Sequence, residues 1–217
     1  MDHRVEAVIF DFDYTLVDSS QGIIQCIDQA LVELGLPPAS PEAVRRTIGL
    51  SLPDALLQLV GQEHTAKADA FSRLFIQRAD EIMVDHTILL EPVRSTVDWL
   101  RSRGIALGIV SIKYRYRIEA VLQREDLLEP FQVIVGGEDV SAHKPDPEGL
   151  LKAIDNLGDS RPSTLYVGDS VTDAKTAERA AVPFVAVLSG VTPREAFVDY
   201  AVCAILESLS ELPGLLG

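Results

Sequence analysis

Val5-Glu6-Ala7-Val8-Ile9-Phe10-Asp11-Phe12-Asp13-Tyr14-Thr15 is an apolar run that stops at a pair of carboxylates, and its reading decides the fold. Short, nearly continuous runs of β-favouring residues read as strands buried on both faces. Comparable runs recur at Ile105–Val110, Phe131–Val135, Thr164–Val167 and Val182–Leu188. Between the later runs lie helical patterns at Val93–Arg103, Tyr116–Arg124, Pro147–Asn156 and Thr172–Ala180, each about one crossover helix long. Strands alternating with crossover helices predict an α/β core, a parallel sheet with helices on both faces.

The stretch after the first strand breaks this rhythm. Roughly 80 residues carry no convincing strand, only apolar residues at helical spacing. Ile23, Ile27, Ala30, Leu31 and Leu34 form one stripe, ended by Gly35 and Pro37. Ser40-Pro41 restarts a helix, Ser51-Leu52-Pro53 another, and a longer helix is expected from about His64 to Met83. Too many helices fall in this one crossover for all of them to pack on the sheet. The expectation is a helical subdomain, residues 17–88, inserted into a core formed by 1–16 and 89–217.

Length and composition agree with that plan. At about 150 residues per domain, 217 residues make one large domain or a core with a smaller insert. With 47% hydrophobic and 24% charged residues the chain is an ordinary globular one, neither disordered nor collagen-like. Its formal charge of −14 repels a phosphate backbone, so nucleic acid is not an expected partner. Cys26 and Cys203 are too few for a disulfide framework and lack the spacing of a zinc site. Met1–Arg4 is polar and the next apolar run ends at Phe10, which fits neither a signal peptide nor a spanning helix. A soluble, cytoplasmic protein without a membrane partner is expected; its oligomeric state leaves no signature in the sequence.

The chemistry gathers at strand ends. Asp11 and Asp13 leave the first strand at the carboxyl edge of the sheet, where open α/β folds place ligands. Two residues apart on extended chain, their side chains point the same way and repel, and a divalent cation is the usual remedy. A solvated strand end or an Asx turn would read the same. The fourth strand ends in Gly168-Asp169-Ser170-Val171-Thr172-Asp173. Gly168 lets the chain turn closely, and Asp169 can face the first pair. Alone, that segment could be a helix start, with Ser170 or Asp169 as N-cap and Asp173 in the first turn. Together the two segments offer three or four carboxylates around one point, and an all-oxygen cluster selects a hard cation, magnesium. Ser111 ends the second strand, where its hydroxyl and the next amide, that of Ile112, can hold an anionic oxygen. Lys144 lies in His143-Lys144-Pro145-Asp146-Pro147, a loop entering a helix that Pro147 is placed to start. Each of these alone is commonplace; four at the ends of four strands are not.

In this arrangement the sequence resembles the haloacid dehalogenase superfamily, in its phosphoglycolate phosphatase-like branch. The resemblance covers essentially the whole chain and is carried most specifically by Val8-Ile9-Phe10-Asp11-Phe12-Asp13-Tyr14-Thr15-Leu16-Val17-Asp18-Ser19, with the Ser111, Lys144 and Asp169 motifs following in order. It implies a Rossmann-like core with a helical cap between the first two motifs. It also implies a magnesium-dependent phosphatase acting on a small phosphorylated metabolite. On that resemblance Asp11 is the nucleophile that becomes an aspartyl-phosphate, and Asp13 the acid and then base, its backbone carbonyl also on the metal. Asp11 and Asp169 hold Mg2+, with Asp173 supporting the ion directly or through Lys144 or water. Ser111 and the Ile112 amide bind phosphate oxygens, and Lys144 offsets the repulsion between the attacking carboxylate and phosphate.

The same resemblance makes the helical insert a cap that closes over the core and excludes water. Arg45-Arg46-Thr47-Ile48-Gly49-Leu50 is similar to a cap's substrate loop, with Gly49 permitting close approach and Arg46 meeting a second anionic group. A solvated helix end explains the two arginines equally well. Tyr14, Lys113 and Tyr114 can line the same mouth. Single positions weigh the relatives. Asp13 argues for phosphate rather than carbon–halogen chemistry. Gly168 stands where phosphomutases of the β-phosphoglucomutase kind usually carry an acidic residue. Lys67, the only lysine between Asp13 and Leu90, does not suit the Schiff base of a phosphonate hydrolase. A phosphomutase and a non-catalytic phosphate-sensing protein remain as alternatives.

Overall fold

A computed structural model describes residues 4–158 and 163–217; of the polar N-terminal stretch read above, residues 1–3 lie outside it. The core sheet has six strands in the order β5-β4-β1-β6-β7-β8: β1 Ala7–Phe10, β4 Ala106–Val110, β5 Val133–Val135, β6 Thr164–Gly168, β7 Phe184–Val187 and β8 Ala204–Leu206. All five neighbouring pairs run parallel. From β1 the chain winds outward to β4 and β5, then returns across β1 to β6 and winds the other way. The reversal leaves a crevice at the carboxyl ends of β1, β4 and β6, the place where this topology binds ligands.

Because side chains alternate along a strand, each face of the sheet collects its own core. Ile9, Val110, Val133, Val135, Tyr166, Phe184 and Ala186 share one face with Leu150, Ala153 and Ile154 of α7 (Glu148–Leu157) and Ala174, Ala177 and Ala180 of α8 (Val171–Ala180). Val8, Phe10, Leu107, Ile109, Leu165 and Val167 point the opposite way and are equally buried. On that side α5 (Val93–Ser102) packs on β4 through Val93, Val97 and Leu100. Burial on both faces is why these strands read as continuous apolar runs. The chain is therefore α/β, with a parallel sheet covered on both sides. α6 (Arg115–Arg124) and α9 (Leu212–Leu216) complete the described helices of the core.

The chain divides into two compact units, Met1–Val17 with Leu89–Gly217, and Asp18–Ile88. The second is helical: α1 Ser20–Glu33, α2 Pro41–Arg45, α3 Leu52–Val60 and α4 Ala68–Ile82. Ser40 and Ser51 cap α2 and α3 by accepting the amides of Ala43 and Asp54, each ahead of a proline in the first turn. The stripe Ile23, Ile27, Ala30 and Leu31 meets Leu56, Phe71, Phe75 and Ala79 in a core of its own.

The structure departs from the sequence reading in three places. Val17–Asp18 (β2) and Ile88–Leu89 (β3) form a two-stranded sheet where no strand was expected, because two residues are too few to show an alternation. β8 adds a sixth strand at the sheet edge, where Ala204 and Ile205 are partly exposed and only Leu206 is buried, so it lacks a buried run. The helix expected from His64 to Met83 is a 3-10 turn, Gln62–Lys67, followed by α4.

Candidate active site

Ladder hydrogen bonds carry the register one residue past the strands. The Asp11 amide donates to Val167 O at 2.8 Å, and the Ser111 amide to Val135 O at 3.0 Å. Asp11 and Ser111 are thus set by the sheet itself, and Asp169 directly follows β6. Asp11, Asp169 and Asp173 are all buried, and each contributes one carboxylate oxygen to a cluster whose members lie within 4.8 Å of one another.

Lys144 enters this cluster from the loop after β5. Its ammonium stands 2.8 Å from Asp11 Oδ1 and 2.6 Å from Asp173 Oδ1, with its side chain 5% exposed. Oδ1 of Asp11 is buried, and its partner is the Lys144 ammonium. Asp173 differs. Its Oδ1 accepts from Lys144 and from the Tyr166 hydroxyl at 2.9 Å, and its Oδ2 accepts from the amide and hydroxyl of Ser170. Ser170 in turn accepts the Asp173 amide, a capping box that starts α8. The helix start and the site carboxylate, read from sequence as rival explanations, are one device. Gly168 makes room for it, since a Cβ there would overlap the Asp173 carboxyl group.

The electrostatics follow from this crowding. Burial, then the charges of Asp173 and Asp13, push the Asp11 carboxyl up to about 7 against the pull of Lys144. Burial, with Asp173 and Asp11 beside it, raises Asp169 well above the carboxylate range. Burial works against the Lys144 ammonium, but Asp11 and Asp173 outweigh it and hold it well above the ordinary lysine value. Burial likewise raises Tyr166, so its hydroxyl keeps its proton and donates. One ammonium does not balance three buried carboxyl groups. An all-oxygen donor set of three buried carboxyl groups, two of them pushed toward their neutral form, fits a hard divalent cation.

Asp13 stands apart from the cluster. Its carboxylate pairs with Lys113 Nζ at 2.7 Å, the two side chains 13% and 6% exposed. The turn that separates Asp13 from Asp11 continues into Tyr14, a non-glycine residue at φ 61°. Ser189, past the end of β7, donates its hydroxyl to the Tyr14 carbonyl. At the next residue, Gly190, a Cβ would overlap Asp169 Oδ2 and crowd Tyr14 Cβ. Ser111 Oγ accepts the Lys113 amide at 3.3 Å, and Ile112 follows it half-buried. Tyr114 N-caps α6, its ring against the Arg117 guanidinium.

Tyr166, Ser189 and Gly190 escaped the sequence reading. Tyr166 looked like any core residue of a buried strand, and Ser-Gly after a strand is a common turn. The available signal was position, because β7 ends at the same sheet edge as the other site strands. Arg46 and Gly49 belong to the Asp18–Ile88 unit, Arg46 exposed as the C-cap of α2 and Gly49 at φ 91°, a backbone that favours glycine.

Known proteins are similar to this chain along most of its length. A family model described as haloacid dehalogenase-like hydrolase matches residues 8–187. A phosphoglycolate phosphatase of Salmonella paratyphi A is 31% identical, over 99% of this chain and 93% of its own. The phosphoglycolate phosphatase of Escherichia coli is 30% identical, over 98% and 93%. Among solved structures, a haloacid dehalogenase-like hydrolase from Bacteroides fragilis superposes with a TM-score of 0.93 at 40% identity, covering 96% of this chain and all of that one.

Proposed function

We propose, for a chain that belongs to the haloacid dehalogenase-like hydrolase family and is a phosphoric monoester hydrolase, that it cleaves a small phosphate monoester through an aspartyl-phosphate on Asp11 with Mg2+ as cofactor. The observation that carries this reading is the cluster of Asp11, Asp169 and Asp173 around the buried ammonium of Lys144. One ammonium leaves the three carboxyl groups short of positive charge, a deficit that a divalent cation would fill.

Asp11 and Asp169 hold the ion, since the oxygens of Asp173 are already taken by four protein donors. When bound, Mg2+ supplies positive charge that stabilises phosphate oxygens and keeps Asp11 ionised. Asp173 acts through Lys144, which it fixes against Asp11 together with the Tyr166 hydroxyl. Lys144 offsets repulsion as the Asp11 carboxylate attacks phosphorus, and the Ser111 hydroxyl and Ile112 amide bind phosphate oxygens. Asp13 gives a proton to the leaving alkoxide, then takes one from the water that hydrolyses the acyl phosphate. Asp18–Ile88 serves as the cap, with Arg46 and Gly49 in its substrate loop. Gly168 supports the phosphatase over the mutase, because an acidic side chain in its place would meet Asp173.

Phosphate release from an aryl phosphate and a panel of phosphoglycolate-like, sugar and nucleotide esters tests this reading, with and without magnesium. Magnesium-dependent release, lost in Asp11→Asn by about 10³-fold or more, is the expected result. A folded protein that binds magnesium yet releases phosphate from no ester would overturn it and favour the mutase or the phosphate sensor.

A further inference from the structure

We infer that Lys113 is a specificity-determining residue that selects esters whose leaving group carries a carboxylate next to the ester oxygen. This rests on the phosphatase reading above and goes beyond it by assigning the contact that recognises the leaving group. Lys113 is a second buried ammonium of the core site, its side chain 6% exposed and its Nζ 2.7 Å from Asp13 Oδ1. It sits over the Phe12 ring, 5.7 Å from the centroid, so one wall of its position is apolar and weakens screening.

The two ammonium groups divide the site between them. Lys144 is held by Asp11 and Asp173 and belongs to the phosphate end. Lys113 is held by Asp13, the proton donor, and belongs to the leaving-group end. To protonate the leaving oxygen, Asp13 must come within roughly 2.6–3.2 Å of it. With Nζ 2.7 Å from Asp13 Oδ1, a leaving oxygen served by that same atom lies no more than about 6 Å from the ammonium. A carboxylate on the adjacent carbon has its oxygens only three bonds from the ester oxygen, which brings them within ion-pair reach of Lys113. The protein carries a formal charge of −14, and Lys113 supplies positive charge where an anionic leaving group would sit.

The test compares 2-phosphoglycolate with 2-hydroxyethyl phosphate, which replaces the carboxylate by a neutral group, and with an aryl phosphate. In the wild type the carboxylate ester is expected to have the higher kcat/KM. Lys113→Gln should lower kcat/KM for 2-phosphoglycolate at least tenfold more than for the two neutral esters, chiefly through KM, and Lys113→Arg should restore most of the difference. An equal loss on all three esters would show that Lys113 only orders Asp13 and would overturn the proposal. So would a wild type that prefers the neutral ester. If Lys113→Gln does not fold, Lys113→Arg and the wild-type preference still decide the matter. Failure of the phosphatase reading looks different, since the wild type would then hydrolyse none of the three.

Discussion

The two units of this chain treat charge in opposite ways. Among the described residues, buried Asp11, Arg117, Asp169 and Asp173 and the buried side chains of Lys113 and Lys144 all lie in the α/β core. In the Asp18–Ile88 unit the fully buried polar residues are hydroxyls, and Thr47 and Thr87 return theirs to backbone carbonyls of their own helical segments. Its core is otherwise apolar, from Ile23 and Leu31 to Phe71 and Phe75. Burying a charge costs several kcal/mol unless partners are built for it, so a fold keeps buried charges where they act. The helical unit is stabilised by apolar packing, caps and surface contacts without a buried charge; the core gives up stability at one sheet edge to hold a reactive constellation.

Lys144→Met should break that contrast with the largest effect. It leaves Asp11 and Asp173 buried without their cation, so stability should fall by about 3–5 kcal/mol in denaturant titrations. Turnover should fall by about 10³-fold even where the protein stays folded. Unchanged stability would mean that the ammonium is not the electrostatic keystone its 2.8 and 2.6 Å contacts indicate.

Gly190→Ala probes the same edge from a loop with no charge of its own. A methyl group there must displace the Asp169 carboxylate, so Mn2+ binding followed by paramagnetic resonance should weaken about 10–100-fold. Ser189→Ala, which frees the Tyr14 carbonyl, should lower kcat while leaving Mn2+ affinity near that of the wild type. Equal metal affinity in Gly190→Ala and wild type would remove β7 from the site.

A smaller effect is expected from pH. The Asp11 carboxyl is raised from 3.8 to about 7, so the folded protein holds a proton that the unfolded chain has lost. Its contribution to stability is complete below the unfolded value and disappears as pH rises through about 7. Magnesium competes with that proton and replaces its effect. The rise in Tm on adding magnesium should therefore be greater at about pH 8 than at about pH 6. Equal increments at both would show that the ion does not meet Asp11.

The core and its site were legible in the sequence for one reason: burial on both faces forces continuous apolar runs, and the residues that interrupt them at the carboxyl edge stand out. Asp11, Ser111 and Asp169 are found in this way. Tyr166 is hidden because its ring belongs to the core cluster and only its hydroxyl reaches Asp173. The Lys113–Asp13 pair joins residues 100 apart, and no local pattern links them. β8 and the β2–β3 pair are too short to establish a period of two.

Arg46→Ala is the smallest and most discriminating change. Arg46 is exposed at the end of α2, and a surface substitution of this kind should alter stability by no more than about 0.5 kcal/mol. If the helical unit supplies substrate recognition without burying charge, the effect must appear in binding alone. KM for a doubly anionic ester should rise several-fold more than KM for a neutral aryl phosphate, with kcat nearly unchanged. Combining Arg46→Ala with Lys113→Gln then separates the two units. Independent contacts with different groups of the substrate give multiplicative losses, whereas two contacts with one carboxylate give a double variant hardly worse than the poorer single one. Equal effects of Arg46→Ala on both esters would return Arg46 to the solvated helix end, and leave recognition of the leaving group to the core.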